Sequence, residues 1–217
     1  MSAFGGGIIF SGPGGTNNIT NSTISGNSVT ISGAGATGSA FAAGIYNQQT
    51  NLTISNSTIS NNTVSNTVTP NNAFHAGIRI LASTTAITTN ITNSTISGNQ
   101  AGGTEGGGVI NFATSTANST VNITGSTVSG NRAPNGLGGG LENFASAAIT
   151  GLAVMNVTNS TISGNTSLNT AGGFNSGATA TTNYNYATIA SNTATNNIGG
   201  IFQDTTGVTN LKNSIVA

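Results

Sequence analysis

This chain of 217 residues carries three acidic residues, three basic ones and one histidine. The acids are Glu105, Glu142 and Asp204, the bases Arg79, Arg132 and Lys212, and the histidine is His75. Paired carboxylates are the groups that cleave glycosidic bonds, and carboxylates gathered on one face also hold calcium. Glu105 lies four residues before Val109, whereas Glu142 directly follows Leu141. On neighbouring repeats of one strand that offset of five residues predicts a separation of roughly 17 Å. Such a pair is too far apart for a retaining or an inverting mechanism. Asp204 falls two repeats further on, so the three acids read as isolated loop charges. His75 has no cysteine or second histidine to complete a metal site. Arg132 and Glu105 occupy equivalent loops of adjacent repeats, which predicts a surface ion pair worth about 0–1 kcal/mol. The sequence therefore predicts no catalytic site, no metal site, no cofactor and no enzyme.

The elements that hold these residues are repeats. Asn93 to Asn99 reads NSTISGN, and close copies start at Asn21, Asn56, Gly125 and Asn159. A worn copy spans Tyr186 to Asn192, and a short one begins at Asn213. The apolar centre falls at Ile24, Ile59, Ile96, Val128, Ile162, Ile189 and Val216. Five residues before each centre stands another apolar residue: Ile19, Ile54, Ile91, Ile123, Val157, Tyr184 and Leu211. Each repeat also holds a glycine-apolar step: Gly7-Ile8, Gly44-Ile45, Gly77-Ile78, Gly108-Val109, Gly140-Leu141, Gly173-Phe174 and Gly200-Ile201. A period of about this length marks a stacked repeat architecture.

Alternation such as Leu52-Thr53-Ile54-Ser55, rich in β-branched residues, reads as strand. An odd offset of five would put the two apolar residues on opposite faces of one straight strand. A corner between them restores both to one side, and Asn21, Asn56, Asn93 and Asn159 stand where it is needed. Asn tolerates the left-handed conformation that such a corner requires. The pattern predicts one all-β domain over residues 1–217. Its fold is a right-handed parallel β-helix of about seven coils, with three short strands per coil and no evident capping elements. Seven coils would span about 34 Å. A ladder of Asn27, Asn62, Asn99, Asn131, Asn165 and Asn192 is expected to hydrogen-bond along the axis, as stacked amides do in cross-β structures. The variable gaps are read as insertions, long at Ser28 to Phe41 and Thr63 to Phe74, and at Phe144 to Asn156.

Composition excludes several functions. Charged residues make up 3% against about 25% in ordinary domains, and the formal net charge is zero. That leaves no electrostatic footprint for nucleic acid. No run of 18 apolar residues offers a membrane-spanning helix. There is no cysteine, hence no disulfide framework.

The pattern GGGI followed by LTISNSTISGN resembles the β-helix repeat of secreted and surface bacterial proteins. It is similar to the repeats of polymorphic outer-membrane proteins, whose marks are GG-apolar-apolar and FxxN. Gly6-Gly7-Ile8-Ile9 and Gly107-Gly108-Val109-Ile110 match the first mark, while the Asn of TISGN stands in place of the second. The resemblance implies export to an extracellular or cell-surface location, and often adhesion. The related fold also houses pectate lyases and polygalacturonases, so a carbohydrate-active enzyme is the third reading.

One outward row follows the glycine-strand core residues: Ile9, Tyr46, Arg79, Ile110, Glu142, Asn175 and Phe202. Its apolar members Ile9, Tyr46, Ile110 and Phe202 form a candidate contact strip for surface glycans or lateral neighbours. The phase of the two ends predicts head-to-tail stacking of copies. Ile8, Ile19 and Ile24 would form one face, and Ile201, Leu211 and Val216 the other. The expected function is a structural, non-enzymatic subunit of an extracellular filament or matrix. The alternative is a binding segment of a longer surface or autotransporter-like passenger.

Overall fold

The computed structural model describes residues 2–32, 38–68, 72–146, 150–204 and 206–217. Met1 and the centres of the three long gaps, residues 33–37, 69–71 and 147–149, lie outside that set. The fold is a right-handed parallel β-helix of seven coils, built on three seven-stranded parallel sheets. The glycine sheet sets Ile8, Ile45, Ile78, Val109 and Leu141 in one row. The middle sheet aligns Ile19, Ile54, Ile91, Ile123, Val157, Tyr184 and Leu211. The motif sheet aligns Ile24, Ile59, Ile96, Val128, Ile162, Ile189 and Val216. These rows make up most of one continuous core.

Each residue of the heptad has its own task. Asn21, Asn56, Asn93 and Asn159 turn the first corner with φ of 48–49°. Gly125 at 59°, Tyr186 at 53° and Asn213 at 50° do the same in the remaining coils. The serine after the corner closes it. Ser57 Oγ donates to the Ser55 carbonyl at 2.8 Å and accepts the Ser22 N–H at 3.1 Å from the coil before. Thr-Ile-Ser is the strand. A second left-handed residue follows at Gly26, Asn61, Gly98, Gly130, Gly164 and Ser191, and delivers the chain to the ladder asparagine.

That ladder is continuous. Asn62 Nδ2 donates to Asn99 Oδ1 at 2.9 Å, and Asn99 Nδ2 donates to Asn131 Oδ1 at 2.9 Å. Asn99 Oδ1 also accepts the Asn62 backbone N–H at 3.1 Å, and its Nδ2 also donates to the Ile59 carbonyl at 3.0 Å. Both donor and both acceptor positions of the carboxamide are thus used, which a side chain with no exposed surface requires. The glycine step makes room for it. A Cβ on Gly44 would lie 3.0 Å from Asn62 Nδ2 and 3.1 Å from Ile59 Cγ2, and would collide with the Gly77 carbonyl oxygen.

Three features differ from the sequence reading. Coil six takes its glycine step one residue earlier, at Gly172-Gly173, because Gly173 pairs with Leu141 and Ile201. The Tyr184 hydroxyl occupies the space that a Gly173 side chain would fill, so a long residue on the middle sheet replaces a missing one opposite. The gaps after the ladder asparagine are not plain insertions. They carry a six-stranded parallel sheet that includes Ser28–Ile31, Thr63–Asn66 and Arg132–Ala133, and a three-stranded one of Ala3–Phe4, Ala40–Phe41 and Ala73–Phe74. Two more asparagine ladders were not anticipated. An inner one links Asn111, Asn143 and Asn175 at 2.9 and 3.0 Å. An outer one links Asn90, Asn122, Asn156, Asn183 and Asn210, each step at 2.8 Å.

Two stability outcomes follow from this geometry. Asn99→Ala strands its ladder neighbours and is expected to cost about 1–3 kcal/mol. Asn118 is exposed, its side chain accepts the Leu152 N–H, and its carbonyl bond from Ile87 survives substitution, so Asn118→Ala should melt close to the parent. Tyr186 holds a left-handed corner with its side chain 58% exposed. Tyr186→Asn relieves that backbone and is expected to raise stability by up to about 1 kcal/mol. Thermal unfolding of the three variants beside the parent checks both.

Candidate functional site

Four of the seven ionisable residues counted above meet in one place. His75, Arg79, Glu105 and Glu142 come from the third, fourth and fifth coils and gather over the outer face of the glycine sheet. The chain entering that sheet makes a left-handed turn at Ala42, His75, Gly106 and Gly138. This turn folds back over the outward row of the strand that follows. A Cβ on Gly106 would strike Ile110, and one on Gly138 would lie 2.7 Å from Glu142 Cβ.

The same turn explains why the contact strip fails. Tyr46 and Ile110 point away from the core, but the turns bury them to 5% and 0% exposure. Phe202 is half-buried, and Ile9 alone of the four stays open, at 47%. The sixth member of the row is Phe174, not Asn175, because of the shifted step in that coil. Asn175 turns inward and is buried.

The expectation that Glu105 and Glu142 stand apart is also overturned. It counted residues along one straight strand, whereas Glu105 precedes the turn that brings the chain back across the sheet. Glu105 is held by His75, whose Nε2 lies 2.9 Å from Glu105 Oε2. His75 is therefore not solitary, and Glu105 does not pair with Arg132. Arg132 is exposed on the side sheet, in a shallow groove with Thr166 and Thr193.

The electrostatics follow from burial. His75 is 1% exposed, and burial pushes its imidazole down to about 4 although the Glu105 hydrogen bond opposes this. The neutral ring then donates from Nε2, and Nδ1 is left without a hydrogen-bond partner. Burial alone would raise Glu105, whose side chain is 35% exposed. The His75 hydrogen bond, with the charge of Arg79 behind it, holds it below the ordinary carboxylate range. Glu142 is 2% exposed. Burial and then the neighbouring Glu105 charge push it well above that range, and the Gly106 N–H offsets only part of this. Its Oε2 has no hydrogen-bond partner.

Arg79 supplies the positive charge. Its guanidinium carbon lies 4.7 Å from the Phe41 ring centroid, 4.8 Å from that of Tyr46 and 5.9 Å from that of Phe112. Such contacts compensate a desolvated cation. The rings belong to an aromatic ladder: Phe4 stacks on Phe41 at 5.1 Å, Phe41 on Phe74 at 5.3 Å, and His75 meets Phe112 edge-on at 5.3 Å. Arg79 and Glu105 carry opposite charges, and burial favours the neutral forms of His75 and Glu142.

This arrangement stores charge and protons but offers little to a substrate. Glu142 and His75 lie beneath the turns, while Glu105 and Arg79 keep partial exposure. A group of three or more metal-ligating side chains is absent among the described residues. No helix there is long and apolar enough to cross a membrane. A scan against protein-family models, a search of curated proteins and a search of solved structures each found no match to this chain.

The coupling between the two carboxyl groups can be measured. Glu105→Gln removes the neighbouring charge, so Glu142 should titrate at lower pH than in the parent. It should still titrate above an ordinary glutamate, because burial is the larger cause. Carbon-detected NMR titration of the side-chain carboxyls reads this directly.

Proposed function

We propose that the chain is a structural, non-enzymatic scaffold of an extracellular or cell-surface filament or matrix, joined head-to-tail through its terminal coils. One observation carries the reading. Leu211 and Val216 continue the core rows of the middle and motif sheets and are 54% and 48% exposed within these 217 residues, so a further coil in the same register would bury them. The motif strand Ile215–Val216 keeps that register, and its backbone groups can pair with such a coil.

The opposite end offers the matching face. Continuing the register by one step sets Ile8 over Ile201, Ile19 over Leu211 and Ile24 over Val216. Ile19 and Ile24 are buried within their own coil, while Ile8 is half-buried and Ile9 is 47% exposed. Polar contacts would continue too, although the axial ladder lacks its rung in the last coil. In the stack Asn62 Nδ2 donates to the Ile24 carbonyl at 3.1 Å, so Asn27 of a second copy would donate to the Val216 carbonyl. Asn210 donates to Asn183 Oδ1, and Asn18 of a second copy would donate to Asn210 in turn. A heterologous contact of this type produces an open filament when its rotation does not close.

The rival readings lose support from the same geometry. A binding segment of a surface passenger needs an accessible strip, and Tyr46 and Ile110 are covered. The self-stacked Phe4, Phe41 and Phe74 rings turn their faces to one another, which leaves edges rather than faces for sugar rings. A glycoside-cleaving pair needs both carboxyls on the substrate, and Glu142 is out of reach. The resemblance to bacterial surface repeats supports the extracellular assignment.

Electron microscopy of concentrated protein tests the assembly. Unbranched fibres with an axial subunit repeat near 34 Å, about seven strand spacings, are expected. Leu211→Asp should abolish them. Monomers at high concentration, with both ends free, would overturn the proposal.

A further inference from the structure

Glu142 occupies a position that needs no charge. The equivalent residues are Ile9, Tyr46, Ile110, Phe174 and Phe202, with Arg79 the one other exception, and the coils stack equally well on them. A carboxyl placed there is 2% exposed, roofed by the turns at Gly106 and Gly138, and left with an unpartnered Oε2. The charged and titratable groups facing it from the packed elements are Glu105 on the preceding coil and, through Glu105, His75 and Arg79. Tyr46 faces Arg79 from the far side. The one cation of the set is thus engaged with Glu105 and three aromatic rings, and no positive charge is left for Glu142. An ionised Glu142 would stand beside Glu105 without compensation.

We propose that this cluster is a proton-operated lock on the third to fifth coils, closed while Glu142 carries its proton and loosened when that proton leaves. Deprotonation sets a second negative charge beside that of Glu105, beneath turns that exclude water from Glu142. The accessible response is to lift the turns at Gly106 and Gly138 and admit solvent to the glycine sheet. The lock does not depend on the assembly reading, because it lies away from both terminal coils.

The sign is fixed by linkage. A carboxyl whose folded value is raised gives stability that is fully present below its unfolded value, near 4.5, and is lost as pH climbs through the folded value. His75 acts oppositely. Its depressed value gives stability that is present above 6.5 and lost as pH falls toward about 4. Between pH 4.5 and 6.5 the two slopes oppose each other, and above 6.5 the slope of Glu142 stands free of His75.

The test is thermal unfolding of the full chain from about pH 4.5 to about pH 9, with Glu142→Gln as the isosteric neutral variant that shares every other titration. The parent should lose Tm relative to the variant as pH rises, so that the variant melts at least about 3 °C above it at the alkaline end. Infrared spectroscopy of the parent gives a second readout that needs no variant. A protonated carboxyl band should persist above the pH at which an ordinary glutamate has ionised, and titrate away over the interval in which parent and variant diverge. Hydrogen exchange should then accelerate first in residues 104–113 and 137–145. Parallel Tm profiles for parent and variant, or no protonated carboxyl band above the ordinary glutamate range, would overturn the lock.

Discussion

The fold depends on a carboxamide seated in a notch that only glycine leaves open. Four asparagines with no exposed surface, Asn62, Asn99, Asn131 and Asn165, run up the axis at an inner corner. Each ties its own coil to the next through side chain and backbone alike. The aliphatic rows supply most of the buried area, but burial is non-directional and would tolerate a slipped stack. The ladder does not tolerate it. A shift of one residue would set the Asn62 carboxamide against Gly98 or Gln100 in place of Asn99 and break its bonds to that side chain. The left-handed corners at Asn21 and Gly26, and their counterparts in each coil, exist to deliver serine and asparagine to those fixed positions. Core burial therefore drives collapse, and the ladder decides register.

Most of this was legible because it is local and periodic. Asn at the first corner announced a left-handed turn, and the odd spacing of two apolar residues required one. The ladder asparagines stood at one phase in six repeats. Two further ladders were less regular, because their rows are interrupted, at Thr53 in one and at Ile80 in the other, and so did not read as rows. The misplaced step in coil six has a different cause. Gly173-Phe174 satisfies the glycine-apolar pattern as well as Gly172-Gly173 does in space. Only the size of Tyr184, eleven residues away, decides between them.

The charge cluster was illegible for a third reason. Its contacts cross between coils at a turn where the chain reverses over its own strand. Counting along a straight strand placed Glu105 far from Glu142, and nothing near His75 in sequence marks Glu105 as its partner. A signal existed nevertheless. Gly106 and Gly138 sit four residues before Ile110 and Glu142, the spacing at which a turn without a side chain can close over the residue below. Where the turn residue is instead Ala42 or His75, the covered residues are Tyr46 and Arg79, which extend sideways into the aromatic ladder rather than upward.

The claim that the ladder decides register is tested most directly on the carboxamides themselves. Exchange of the Nδ2 protons of assigned asparagines, followed by NMR in deuterated solvent, separates ladder from surface. The account predicts that Asn62, Asn99, Asn131 and Asn165 retain their side-chain protons as long as the core backbone amides do, while Asn118 exchanges at once. Ladder carboxamides that exchange as fast as that of Asn118, in a protein whose core amides remain protected, would contradict it.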